Sequence, residues 1–230
     1  HCKYPMTAAE EDVAFAVVAP ESRHAIAMFA PDDIIIQADI HIVDIQPVIS
    51  RRFELPGNLN LAQLHEVIQA SFEWTDSHLH QFDIGGLTYG APEFDEGDWS
   101  DRRTFEASDV RLCDFATYGP APLIIFYEYD FGDSWMHVIE LTRKAKEPGV
   151  KYPRCVAGSR RAPPEDVGGP SGYFDFLEAW HDTRHQDHKD MRRWAGRTFN
   201  PERFNLDVNN KAIAKAIRHS KGSYRFRFEP

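Results

Sequence analysis

The sequence predicts an α+β protein with a mostly antiparallel sheet, and three observations predict it. Strand-like segments follow one another at hairpin distances, one strong helical period falls between the second and the third, and the other helical patterns gather near the C-terminal end. With 230 residues and 42% hydrophobic content the chain can bury a substantial core. Its 16 Phe, 8 Tyr and 5 Trp exclude disorder for most of its length. Residues 1–33, punctuated by Pro5, Pro20 and Pro31, read as a peripheral N-terminal arm. Residues 34–230 read as a single α+β domain with a helical C-terminal lobe from about residue 171.

Each element has its own reason. In residues 34–45, Ile36, Ala38, Ile40 and Ile42 share one parity and the β-branched content is high, which predicts a long strand. Gln46-Pro47 interrupts it, and 48–55 predicts a second strand carrying Arg51 and Arg52. Asn60 is a good N-cap for a helix over 61–74, where Leu61, Leu64, Val67, Ile68 and Phe72 form one apolar stripe. Residues 79–84 and 87–90 predict a hairpin turned by Gly85-Gly86. Residues 91–109, rich in Asp and Glu, read as a long loop. Two paired strands, 123–129 and 136–142, meet at Asp130-Phe-Gly-Asp-Ser134, where Gly132 can take a positive φ and the two Asp can accept from backbone N–H groups. Residues 144–170 read as an irregular connection, 173–182, 188–194 and 208–219 as helices, and 224–228 as a short strand or tail. The early hairpin followed by a crossing helix is reminiscent of β-grasp topologies.

Charge and cysteine content narrow the function classes. The net charge is −10, yet residues 184–230 hold 12 Lys and Arg against 5 Asp and Glu. The acidic body repels phosphate backbones, so a nucleic-acid contact is physically reasonable only at the basic end, through Arg192, Arg193 and Arg197. No run is long enough for a membrane span, and no membrane partner is expected. The apolar run 13–19 is short and follows acidic residues, a poor match to a secretory signal. Cys2, Cys113 and Cys155 are odd in number and scattered, which argues against a disulfide framework or a zinc ribbon. These features together predict a cytoplasmic protein.

The candidate cleft residues are His78, His80, Asp130, Asp133, Trp135, His137, Glu165 and Asp166. His78 and His80, two apart at the mouth of a strand, would project to one face, so both imidazoles could meet one cation. If the loops converge, Asp130, Asp133 and His137 would complete a metal set, with Cys155 and Asp166 as further donors. The competing reading gives these side chains hydrogen-bonding roles that orient strand and loop, and no metal or other cofactor is favoured. His181, His185 and His188 are spaced for one helix face, but Thr183 and Asp187 favour a break between them and hence capping roles. Asp130-Phe-Gly matches a kinase motif by letters alone, without the phosphate loop or catalytic loop that position ATP. Ser134 beside Asp133 and His137 is the best nucleophile arrangement, and it lacks an oxyanion donor. Glu165 and Asp166 are of the right type for acid/base work, though an exposed turn explains them equally.

Several strings, in order, carry a resemblance. They are Leu64-His65, Ile68-Gln69, Trp74 and His78-Leu-His80-Gln-Phe82; then Tyr129-Asp-Phe-Gly-Asp-Ser-Trp135 with His137. Next come Tyr152-Pro-Arg-Cys155, Gly158, Arg161-Ala-Pro-Pro-Glu-Asp166, Gly168-Gly169 and Gly172-Tyr173. His185, His188, Trp194, Gly196, Phe199, Pro201-Glu202, Phe204 and Val208-Asn209 close the set. Over residues 34–218 the chain resembles the Ri-plasmid open-reading-frame-three-like family, whose members also carry the label passenger TnpR protein of an insertion element. The resemblance implies an α+β fold and an association with plasmids or mobile elements. A resolvase role finds no support in the residues, which offer neither an N-terminal nucleophilic Ser with an Arg cluster nor a helix-turn-helix. The leading expectation is a non-enzymatic binding or accessory module, most readily for a protein partner. The alternatives are a metal-dependent hydrolase or nuclease using the His and Asp blocks, and DNA binding through the basic C-terminal helices.

Overall fold

A computed structural model describes residues 33–92, 103–115 and 121–223. The early hairpin forms as expected, from β1 (Ile34–Ile42) and β2 (Ser50–Pro56). Ile36, Ala38, Ile40 and Ile42 are all buried, so the parity read from the sequence is the core face. Helix α1 (Leu61–Phe72) starts at Asn60, whose side chain accepts from Gln63 N while Gln63 reaches back to the Asn60 N–H. This reciprocal cap is worth about 1 kcal/mol. Leu61, Leu64, Val67, Ile68 and Phe72 are fully or almost fully buried, and each such side chain contributes roughly 1.5–3 kcal/mol. β3 (His80–Ile84) and β4 (Leu87–Gly90) pair across Gly85-Gly86, both with positive φ.

The structure departs from the reading in three stretches. Part of 91–109 is ordered: β5 (Thr104–Glu106) pairs in parallel with β4, and a 3-10 turn follows at Ala107–Asp109. A one-turn helix α2 (Leu112–Phe115) succeeds it, too short to leave a period in sequence. After β6 (Leu123–Tyr129) and β7 (Trp135–Ala145), the presumed connection 144–170 contains an edge strand, β8 (Arg154–Ser159), paired with β2. Its glycine hid it, and that glycine is a packing requirement: a Cβ on Gly158 would lie 2.6 Å from the Phe204 ring. In the β6–β7 turn the positive φ values fall on Asp130 and Ser134 rather than on Gly132. Asp130 Oδ1 accepts from the N–H of Gly132 and of Asp133, as the turn chemistry requires.

Among the described residues eight strands form one sheet in the order β5-β4-β3-β6-β7-β1-β2-β8, antiparallel except at β4–β5. The β-grasp likeness extends to the hairpin and crossing helix; the sheet then continues well beyond that pattern. One face is the core side, where α1 sets His65 against Tyr127 of β6 and Phe72 against His137 of β7. The opposite face leaves Arg52, Ile124, Phe126 and Glu140 exposed, the one-sided burial common in antiparallel sheets. The C-terminal part is helical as expected: α3 (Gly169–His181), α4 (His188–Trp194) and α5 (Leu206–His219). No helix among the described residues is long and apolar enough to cross a membrane. Residues 1–32, most of the N-terminal arm, and the segment 224–228 lie outside the described residues.

Candidate functional site

Three segments far apart in sequence meet beyond one end of the sheet: 74–80 after α1, the β6–β7 turn 130–134, and 163–169 before α3. The meeting is built from hydrogen bonds. Trp74 Nε1 donates to the Pro163 carbonyl at 2.9 Å, and Asp133 Oδ2 accepts from Gly168 N at 3.0 Å. Glu165 accepts from Thr75 N, Thr75 Oγ1, Ser77 Oγ and, at 2.6 Å, Tyr129 OH. Burial first, and then the Glu165 carboxylate, push the Tyr129 phenol above its ordinary range, so it stays a donor at neutral pH. Close approach dictates the glycines: a Cβ on Gly169 would sit 2.4 Å from the Asp133 carbonyl oxygen, and one on Gly172 2.1 Å from that of Val167.

Within this junction His78 Nε2 lies 3.1 Å from Asp166 Oδ1 and 3.5 Å from Asp130 Oδ2. The nitrogen is shielded from solvent and, among the described residues, has no hydrogen-bond partner of acceptable geometry. The three donor atoms lie within 4.8 Å of one another. Asp130 and Asp166 hold φ of 59° and 60°, and the neighbouring Asp76 and Ser134 hold 59° and 53°. Four of the seven non-glycine residues with positive φ among the described residues therefore surround one spot, a local strain of about 1 kcal/mol or more each. Asp166 also lines a cleft of about 570 Å³ between α3 and α4, with Asp175, Glu178, Asp187, Phe176 and Trp194 among its walls.

The structure separates the two histidines that strand periodicity put together. His78 sits in a bend before β3, where the two-residue period does not apply, and His80 turns instead to α1. There its ring stacks on His65 at 3.5 Å, with the planes 7° apart. His65 is fully buried and bridges two partners, accepting from Tyr127 OH at 2.7 Å and donating to Asp76 at 2.8 Å. Gln69 extends this network, donating to Tyr127 OH and accepting from Asp76 N. His65, Asp76 and His80 are spaced as metal donors too, but both nitrogens of His65 already have protein partners. Sequence reasoning missed His65, Asp76, Tyr127 and Tyr129. The available signal was His65 itself, an imidazole inside the apolar stripe of α1.

The remaining candidates take other places. His137 does not join Asp130 and Asp133; it is fully buried against Phe72, Trp74 and Tyr127 and donates from Nδ1 to the Trp135 carbonyl at 2.8 Å. Burial pushes its imidazole down to about 3, so it is neutral at physiological pH. Ser134 therefore lacks the His137 imidazole beside it, and its hydroxyl donates to Glu128 at 3.0 Å. Trp135 is a core residue. Cys155 is buried beside β2 and takes no part in the junction. The helix breaks between His181 and His188 as expected, and His188 Nδ1 donates to the Ala179 carbonyl near the end of α3. Arg192 lies over the Trp180 ring at 3.9 Å and Arg193 faces Asp190 at 3.4 Å, while Arg197 is exposed.

Comparison with known proteins matches the stretch of chain that contains the junction. A family model described as plasmid pRiA4b ORF-3-like protein matches residues 34–208. The chain belongs to the plasmid pRiA4b ORF-3-like family. The ORF-3-like match runs from the first residue of β1 into α5, so it spans every residue of the junction. A relative in Sinorhizobium fredii, the uncharacterized protein y4hQ, is 33% identical over 180 residues, covering 78% of this chain and 90% of its own. The crystal structure of MM3350, a protein of unknown function from Methanosarcina mazei Go1, superposes with a TM-score of 0.66 at 35% identity. That likeness covers 76% of this chain and 96% of MM3350.

Proposed function

We propose that this ORF-3-like protein is a cation-dependent binding module, with His78, Asp130 and Asp166 holding one divalent metal ion at the edge of the α3–α4 cleft. One observation carries the reading: the 3.1 and 3.5 Å separations from His78 Nε2 to the two carboxylates. Ligand atoms bound about 2.1 Å from a common ion stand about 3.0 Å apart in octahedral and about 3.4 Å apart in tetrahedral geometry. An unshared imidazole nitrogen between two carboxylates is the corresponding donor set. One imidazole with two carboxylates suits Mn or Zn rather than the softer metals.

What this arrangement does chemically follows from its place. A cation would offset the repulsion of Asp130 and Asp166 and lock the β6–β7 turn to the loop before α3. Three protein donors leave coordination positions open to an oxygen from a partner in the cleft. Hydrolysis would need a base for a metal-bound water, and the nearby Glu165 already spends its oxygens on Thr75, Ser77 and Tyr129, which favours binding over turnover. We assign this module to accessory cargo of mobile elements, in the cytoplasm, with a protein as its partner; the plasmid-derived family supports the first point. Contact of Arg192, Arg193 and Arg197 with DNA is a weaker reading, because α4 also forms a wall of the acid-lined cleft.

Calorimetric titration of tag-free, chelator-stripped protein with Mn(II) and Zn(II) tests the proposal. One equivalent should bind, and Asp166→Asn and His78→Ala should each weaken it tenfold or more. Absence of binding, or binding that both variants retain, overturns it.

A further inference from the structure

A second site lies outside the junction, where β2, the C-terminal end of α1 and the N-terminal end of α5 come together. Its centre is Arg51, whose side chain is among the few charged ones in the core, 3% exposed. The guanidinium is sandwiched between the rings of Phe72 at 4.9 Å and Phe204 at 4.6 Å. Gly158, opposite Arg51 on β8, leaves the space that lets Phe204 close over it. Nε donates to the Ser71 carbonyl and Nη1 to those of Ser50 and Ser159. That uses three of five N–H groups on neutral acceptors, and Nη2 makes no hydrogen bond among the described residues. Among the described residues no carboxylate stands within ion-pair distance of Arg51. Glu73, the nearest acidic group by electrostatic influence, is bonded to Arg161 at 2.8 Å. Cys155 supplies no counter-charge, since burial pushes its thiol up and keeps it neutral.

Burying a guanidinium without a counterion is unfavourable. Desolvation accordingly lowers Arg51 to about 10. Arg51 lines a pocket of about 110 Å³ together with Glu73, Arg161, Arg203, Asn205 and Asn209. Three guanidinium groups and one carboxylate give these walls a net charge of +2, and the N-terminus of α5 adds a favourable dipole. The volume corresponds to about three or four liquid waters, room for a tetrahedral oxyanion.

We propose that this pocket binds a phosphate dianion, either free phosphate or the terminal phosphate of a monoester, with Arg51 as the buried anchor and Arg161 and Arg203 at its walls. Planar guanidinium groups are suited to phosphate oxygens, and the charge count selects a dianion over a carboxylate. The proposal is independent of the cation site, which shares none of these residues.

Titration with inorganic phosphate, methyl phosphate and acetate at constant ionic strength, followed by calorimetry, tests it. Phosphate should saturate at one equivalent, and acetate should bind at least tenfold more weakly. Methyl phosphate binding as tightly as phosphate identifies a monoester ligand; weaker binding identifies the free ion, and either result supports the site. Arg203→Ser, a change at an exposed residue, should reduce phosphate affinity tenfold or more. Arg51→Met, which keeps the stem between the two rings, should abolish binding while circular dichroism remains native. No saturable phosphate binding, equal binding of acetate, or full affinity in Arg203→Ser overturns the proposal. Should Arg51→Met fail to fold, the Arg203→Ser and acetate results decide alone.

Discussion

Replacing Gly169 by Ala tests whether the β6–β7 turn and the loop before α3 are held in contact by their backbones. The new Cβ would lie 2.4 Å from the Asp133 carbonyl oxygen at a residue with φ of +67°. Left-handed backbone costs an alanine about 1–2 kcal/mol, and the overlap forces a backbone shift costing about 1–3 kcal/mol, so the total is about 2–5 kcal/mol. Gly85→Ala provides the control: its φ is +60°, but no atom lies within 4 Å of the added carbon, and only the conformational cost of about 1–2 kcal/mol applies. Urea unfolding at unchanged slope reads both values as midpoint shifts. The displaced turn carries Asp130, so Gly169→Ala should also lose cation affinity while Gly85→Ala keeps it. Equal midpoint shifts in the two variants would refute the close-packing argument.

Three further outcomes are expected. His137 has its pKa depressed by burial, so between about pH 6.5 and 3 the unfolded chain takes up a proton that the native one refuses. Stability therefore falls as pH drops through that window, by about 1–2 kcal/mol from pH 6.5 to 5. His137→Asn, whose amide can keep the bond to the Trp135 carbonyl, should flatten this part of a urea-midpoint profile; parallel profiles would count against it. Glu165→Gln removes charge from a group accepting from Thr75, Ser77 and Tyr129 and should cost about 2–3 kcal/mol. It should also lower the Tyr129 titration, seen by ultraviolet difference spectra. Asn60 caps α1 through Oδ1 and donates from Nδ2 to the Ser108 and Gly222 carbonyls. Asn60→Asp keeps the cap and loses the donors, so it should cost less than Asn60→Ala, by about 1 kcal/mol in urea unfolding.

What the sequence revealed depended on whether the cause was local. The Asn60 cap, the stripe from Leu61 to Phe72, the Gly85-Gly86 turn and the buried parity of β1 are short-range patterns, and each formed where expected. β8 escaped notice because its edge position and Gly158 answer to Phe204, 46 residues downstream. At the site, Asp130 and Asp166 were recognisable as donor types, but only the tertiary meeting of the turn and the loop brings them to His78. Pairing His78 with His80 failed because strand periodicity was extended two residues before β3 begins. Placing His137 among the ligands failed because β7 turns that residue into the core beneath Phe72 and Trp74. His65 was visible as a polar residue within an apolar stripe, yet its Tyr127 and Asp76 partners come from elsewhere in the chain.

Anomalous diffraction from crystals saturated with Mn(II) gives the most direct test of the cation site. A peak should appear about 2.2 Å from His78 Nε2 and within bonding range of both Asp130 and Asp166. Density at saturating Mn(II) that shows no ion there, with His78 instead hydrogen-bonded to the two carboxylates, would contradict the account.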